Sequence, residues 1–292
     1  MFADALDSVR PCTLPLVICT RHFDGTVEAG LATFVVLNRE GWVLTAAHVL
    51  QAFFDTQKHA PEIREYRRQE AEIQNNPLFT KGVRAKYLKN LKSNPKWITS
   101  GSFWWGMDGV KIETVAVNPV RDLAVGQMQG FNPDSVARYP VFKNPDSPLR
   151  IGTSLCRLGY PFHGVQATFD EVTGQFKFAE GVLPAPQFPI EGIYTRDCMM
   201  IEQNSKRGAL FLETSSPGLR GQSGGPIFDT RGRVCGIQSR TVNFPLGFSP
   251  QVSQGNVQTI EHQFLNVGIG AHIKEIATFL AEQKVQVEFA RD

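Results

Sequence analysis

Ser223 stands among glycines, in Gly221-Gln222-Ser223-Gly224-Gly225-Pro226, and the glycines and proline after it limit the fold. Each glycine weakens a helix by about 1 kcal/mol relative to alanine, and a proline has no backbone N–H to give. The next residues, 226–229 and 233–239, read as strand, turn, strand around Thr230-Arg231-Gly232. The stretch also fits G-x-S-x-G, the nucleophile elbow of α/β-hydrolases, which demands a helix directly after the serine. A helix is disfavoured here, and only 69 residues follow Ser223, too few for the rest of that fold. The serine therefore belongs to a tight loop in a β-rich chain.

A serine hydroxyl is a poor nucleophile at neutral pH. It needs an imidazole to take its proton, and the imidazole needs a carboxylate to fix its tautomer. Thr45-Ala46-Ala47-His48 offers the first and Arg121-Asp122-Leu123-Ala124-Val125 the second. Taken singly, His48 would read as a core histidine, Asp122 as a turn residue and Ser223 as a loop serine. Taken in order, His48, Asp122 and Ser223 follow one of three unrelated chain orders that assemble the same triad.

These segments resemble the trypsin-like serine proteases of the chymotrypsin clan, and within it the bacterial HtrA-type branch. Leu212-Glu213-Thr214 is similar to that family's L-Q-T segment, Leu158-Gly159-Tyr160-Pro161-Phe162 to its I-G-N-P-F turn, and Gly268-Ile269-Gly270-Ala271 to its G-I-G-F strand. The resemblance implies an all-β fold of two six-stranded antiparallel β-barrels with a C-terminal helix and a partly helical insert. It implies an oxyanion hole made by the N–H groups of Gly221 and Ser223. It places Pro217, Arg220, Ser239, Arg240, Thr241 and Gly268 beside the primary specificity pocket. None of these is acidic, so a preference for Lys or Arg before the scissile bond is not expected. An aliphatic or small residue is expected there, with Arg220 as the feature that could attract an acidic one. Gln222 precedes the serine where trypsin-like zymogens carry an acidic residue, so activation by a newly freed N-terminus is not expected. No counterpart of the HtrA-type PDZ domain is read after the terminal helix.

The apolar runs 14–19, 32–37 and 42–45 make strands that lead to His48, and 110–117 and 123–128 make a strand pair around Asp122. The proline-rich stretch 134–148 reads as a linker between halves, at about 1–140 and 141–292. Strands are expected at 151–158, 165–172, 175–182, 209–213, 226–229, 233–239 and 265–270. Ile273, Ile276, Ala277 and Leu280 have helical spacing. The insert spans about 51–109, with a surface helix from Pro61 onward. Ten Lys and Arg stand against four Glu between residues 58 and 96, which reads as a solvated face or as a docking surface for an acidic partner.

A net charge of +2 gives no global case for nucleic acid or membrane binding, and neither is expected as a partner. The first residues are acidic and no apolar core of signal-peptide length comes after them, so a cytoplasmic protein is expected. Five cysteines without metal-like spacing read as buried free thiols. Without H-E-x-x-H or paired C-x-x-C, no metal or other cofactor is expected. The leading expectation is a serine endopeptidase acting on a limited set of intracellular proteins, with an activating or regulatory protein as a candidate partner. The alternatives are a catalytically silent protease-fold binding module and an esterase using the same triad.

Overall fold

In the computed structural model, residues 1–201, 207–254, 257–260 and 262–291 are described. A short helix α1 (Ala3–Val9) leads into β1 (Thr13–His22), β2 (Val27–Val36) and β3 (Trp42–Thr45). Buried β-branched, aromatic and leucine side chains at Val17, Phe34, Val35, Val43 and Leu44 hold these strands on one core. The insert follows as α2 (Gln51–Asn75) and α3 (Lys81–Asn90), and β4 (Ile98–Trp104), β5 (Lys111–Asn118) and β6 (Leu123–Gln129) complete the first sheet. Its order is β4-β1-β2-β3-β6-β5.

Next come β7 (Val141–Phe142), β8 (Ser154–Gly159), β9 (Ala167–Asp170), β10 (Gln175–Phe178), β11 (Phe188–Ile201), β12 (Gly208–Thr214), β13 (Pro226–Asp229) and β14 (Arg233–Pro245). The chain ends with β15 (Gln251–Gln254), β16 (Val257–Ile260), β17 (Phe264–His272), helix α4 (Ile273–Glu282) and β18 (Glu288–Phe289). The second sheet runs β13-β8-β11-β12-β17-β14-β7-β18, with a further β13–β14 pairing.

The expected pair of six-stranded antiparallel barrels is therefore corrected. The first sheet is an open half-barrel, since its edge strands β4 and β5 do not pair with each other. The second sheet has eight strands, because Val141 and Phe142 from the linker pair in parallel with Arg233 and Val234, and Glu288 and Phe289 pair in parallel with the same two linker residues. An edge strand offers free N–H and C=O groups, and these short segments take them up. The stretches expected as strands at 165–172 and 175–182 form a separate two-stranded sheet, β9–β10, outside the main ladder.

The insert is tied to the first sheet. Within the stretch expected as insert, β4 pairs with β1, and the Ile98 amide donates to His59 Nδ1 at 3.1 Å, joining β4 to α2. Phe23 meets Tyr66 and Trp97 edge-on at 5.2 and 5.5 Å between ring centres, so α2 is pinned by an aromatic cluster. Trp105 packs on Phe34 at 5.2 Å in the core.

The terminal helix α4 buries Ile273, Ile276, Phe279 and Leu280, the stripe its spacing announces. Each such side chain contributes about 1.5–3 kcal/mol. The helix lies on β12, β14 and β17 and reaches β6 of the first sheet. It thus braces the two sheets that carry the candidate site. Among the described residues no helix is long and apolar enough to cross a membrane.

Candidate active site

His48 sits in the single 3-10 turn Ala47–Leu50 between β3 and α2. Asp122 occupies the turn between β5 and β6 in the left-handed region, at φ 51°, a conformation that Asp tolerates better than most residues. The turn is closed by the Asp122 amide, which donates to the Pro119 carbonyl at 3.2 Å. That conformation aims the carboxylate under His48. The His48 amide donates to Asp122 Oδ1 at 3.0 Å, and His48 Nδ1 lies 2.9 Å from Oδ2.

Ser223 comes from the second sheet's side. Its loop is docked on β2: the Thr33 amide donates to the Ser223 carbonyl at 2.8 Å, and Thr33 Oγ1 donates to the Gly221 carbonyl at 2.7 Å. The close approach explains the glycines. Gly224 has φ +84°, and a Cβ there would overlap the Thr33 carbonyl and the Thr45 hydroxyl. Gly221 has φ +97°, and a Cβ there would overlap the Tyr160 carbonyl. Docked in this way, Ser223 Oγ lies 3.0 Å from His48 Nε2.

The three side chains are therefore in sequence: Ser223 hydroxyl, His48 imidazole, Asp122 carboxylate. Asp122 is buried, whereas the His48 side chain is about half exposed toward the cleft (47%). Burial pushes the Asp122 carboxyl up, but the hydrogen bonds and charge of His48 and the hydroxyl of Ser239 outweigh it and hold the group below its ordinary value. Among the described residues neither the Gly221 nor the Ser223 amide donates to a protein acceptor.

The residues expected around the primary pocket divide. Thr241 Oγ1 donates to the Gly218 carbonyl at 2.6 Å, and Gly268 pairs with both Thr214 and Thr241. Pro217, Thr241 and Gly268 therefore adjoin one another. Arg220 is exposed and lines a different space, a cavity of about 1040 Å³ with Gly221, Phe162, His163 and Asp55. Ser239 is buried and donates its hydroxyl to Asp122 Oδ2. Arg240 reaches back to Ser239 Oγ at 3.2 Å, and its guanidinium stands 4.0 Å from Asp122 Oδ2. A second cavity of about 440 Å³ is lined by His48, Asp122, Ser239, Arg240 and Phe54. The part of Ser239 in holding Asp122 has no signal in the sequence, because strand register decides which way its hydroxyl points.

Gln222 is fully buried and neutral, with its carboxamide satisfied: Nε2 donates to the Phe188 carbonyl at 3.2 Å and Oε1 accepts from the Leu219 amide at 3.0 Å. All five cysteines are free thiols. Among the described residues no cluster of His, Cys, Asp or Glu could hold a metal ion.

The trypsin-like peptidase domain family matches residues 32–237, and the chain belongs to that family. Membership of that family places it in the serine endopeptidase class. Among solved structures, the chain is similar to the active form of the Rv3671c protease from M. tuberculosis, at 13% identity and TM-score 0.51, over 98% of this chain and 86% of that one. It is similar to a serine-to-alanine variant of the HtrA-type protease AlgW with decapeptide, at 14% identity and TM-score 0.53, over 98% of this chain and 68% of that one. At such identities the likeness is one of fold. No curated protein matches the chain.

Proposed function

We propose that this protein cleaves peptide bonds with Ser223 as nucleophile, His48 as general base and acid, and Asp122 as the group that orients His48. The reading rests on one observation above all: the 3.0 Å approach of His48 Nε2 to Ser223 Oγ while Nδ1 faces a buried carboxylate at 2.9 Å. The Ser223 oxygen attacks the scissile carbonyl carbon as His48 Nε2 takes its proton. The oxyanion is stabilised by the Gly221 and Ser223 N–H groups. His48 then protonates the leaving amine, and an acyl-Ser223 ester remains. Water then attacks the acyl carbonyl carbon and gives a proton to His48, which passes it to Ser223 Oγ as the ester C–O bond breaks and the acid product leaves.

Pro217, Thr241 and Gly268 flank the side chain before the scissile bond, whereas Arg220 lines the larger cavity together with Gly221. The physiological substrates are a limited set of intracellular proteins, a reading supported by five unpaired thiols, four of them buried. The exposed Lys86, Lys89 and Lys92 on and beside α3 suit an acidic regulatory partner.

A fluorophosphonate probe tests the nucleophile. Labelling of the wild type, its loss in Ser223→Ala, and peptide cleavage that tracks the label support the reading. Labelling with ester but no peptide hydrolysis would make the protein an esterase. A folded protein that takes no label would be a binding module.

A further inference from the structure

A charged side chain lies buried against Pro217 and Gly268, two of the residues proposed above to flank the side chain before the scissile bond. Arg157, between Cys156 and Leu158 in β8, is 1% exposed. Its Nη1 donates to Ser216 Oγ at 2.8 Å and to the Pro217 carbonyl at 3.3 Å. The guanidinium fills the space that a side chain at residue 268 would take: a Cβ on Gly268 would overlap Nη2. Arg157 thus reaches the place where the segment 216–218 and Gly268 meet, and Thr241 closes the third side through its bond to Gly218.

Two of its donors are unused. Nε and Nη2 are buried and have no hydrogen-bond partner among the described residues. No carboxylate among those residues pairs with Arg157. Leaving a buried guanidinium with two idle nitrogens, which carry three N–H groups, and no counter-charge is costly. The fold maintains it with a glycine at 268 that makes the room.

We propose that Arg157 forms the floor of the primary specificity pocket and selects substrates with an acidic residue, Asp or Glu, before the scissile bond. The proposal rests on the protease reading. A carboxylate would accept from Nε–H and one Nη2–H in the paired geometry that a guanidinium offers, and would supply the missing negative charge. Burial depresses the Arg157 pKa to about 10, still far enough above neutrality to keep it charged. Gln238 is the nearest competitor for the role. Its side chain crowds Gly218, and its Oε1 is buried without a partner, while Nε2 donates to the Arg240 carbonyl at 3.0 Å. A substrate carboxamide could satisfy Oε1, but it would leave the cation uncompensated. Charge-assisted bonds are roughly twice as strong as neutral ones, so the carboxylate should prevail.

The test uses the full chain on paired peptides that differ only before the scissile bond, as Glu, Gln, Leu or Lys, with fluorophosphonate labelling in parallel. The expected result is a kcat/KM for Glu at least about tenfold above that for Gln, the ratio that a differential of roughly 1.4 kcal/mol produces. Arg157→Gln should erase the difference while keeping the label, and Arg157→Lys should restore part of it. If Arg157→Gln does not fold, the wild-type ranking decides alone. A labelled protein that prefers Gln, Leu or Lys overturns the pocket assignment and leaves the protease reading standing. A protein with neither label nor cleavage overturns both.

Discussion

Arg121 Nε donates to Glu275 Oε2 at 2.8 Å, which ties the residue before Asp122 to the terminal helix α4. The same guanidinium reaches Glu282 at 2.7 Å, and Glu275 also accepts from the Leu210 amide at 2.9 Å. The turn that carries Asp122 is thereby fastened to the second sheet through α4. In Arg121→Met, that fastening is lost. The expected cost is about 1 kcal/mol in urea unfolding, as for a partly exposed ion pair. Turnover should fall more than KM rises, since the disturbed element holds Asp122 and not the substrate. Lower stability with unchanged kcat would reduce the clamp to a support for the fold.

Ser223→Ala and His48→Ala should each abolish peptide cleavage while far-ultraviolet circular dichroism stays that of the wild type. Asp122→Asn should lower turnover on the order of 10⁴-fold, because an amide at this place favours the wrong imidazole tautomer. Wild-type-like cleavage by folded Ser223→Ala would sink the mechanism.

Ser239→Ala removes one hydroxyl from the Asp122 carboxylate and adds no bulk. A hydrogen bond to a charged group contributes about 1.5–3 kcal/mol, so a loss of roughly tenfold or more in kcat/KM is expected. Restoration by Ser239→Thr would show that the hydroxyl is responsible. An unchanged rate would leave Ser239 as packing alone.

The Asp122 carboxyl is held below its ordinary value in the folded protein, although burial pushes it up, because the hydrogen bonds and charge of His48 and the Ser239 hydroxyl overcome that burial. Between the folded and unfolded values the unfolded chain binds more protons, so stability rises with pH. The contribution is complete above the unfolded value of about 3.9 and is lost as pH falls through the lower folded value. Urea midpoints of wild type and Asp122→Asn should therefore differ by a constant amount above about pH 5 and converge on further acidification. A gap that widens toward low pH would contradict this.

If the basic insert receives an acidic partner, Lys86→Glu, Lys89→Glu and Lys92→Glu together should reduce cleavage of the native substrate. Cleavage of a short peptide should hardly change. The effect should weaken with salt, since exposed charges are screened over about 10 Å at 0.1 M. Equal loss on both substrates would mean that the insert supports the cleft.

Much of the site is legible in the sequence because catalysis restricts residue types. A nucleophile that must approach another backbone needs glycines, and Gly221 and Gly224 carry positive φ at such approaches. The amphipathic spacing of α4 is legible for a similar reason, since one buried stripe leaves one pattern. β11 carries no such signal. Its fourteen residues are mostly exposed and mix Pro189, Gly192 and charges, so no alternation marks them. β4 is hidden inside the insert, because the insert before it is helical and its partner β1 is far away in sequence.

By itself the sequence determined the chemistry on offer: a serine in a glycine loop, one histidine and one aspartate in family context, and a β-rich chain to hold them. Only the tertiary structure decided that the first sheet stays open and that the second takes in β7 and β18, because edge pairing depends on which segment arrives beside a free strand. The same is true of Ser239, whose hydroxyl meets Asp122 from the other sheet, and of Arg157, whose isolation depends on the space left by Gly268. Such contacts join residues more than a hundred positions apart, and no local pattern encodes them.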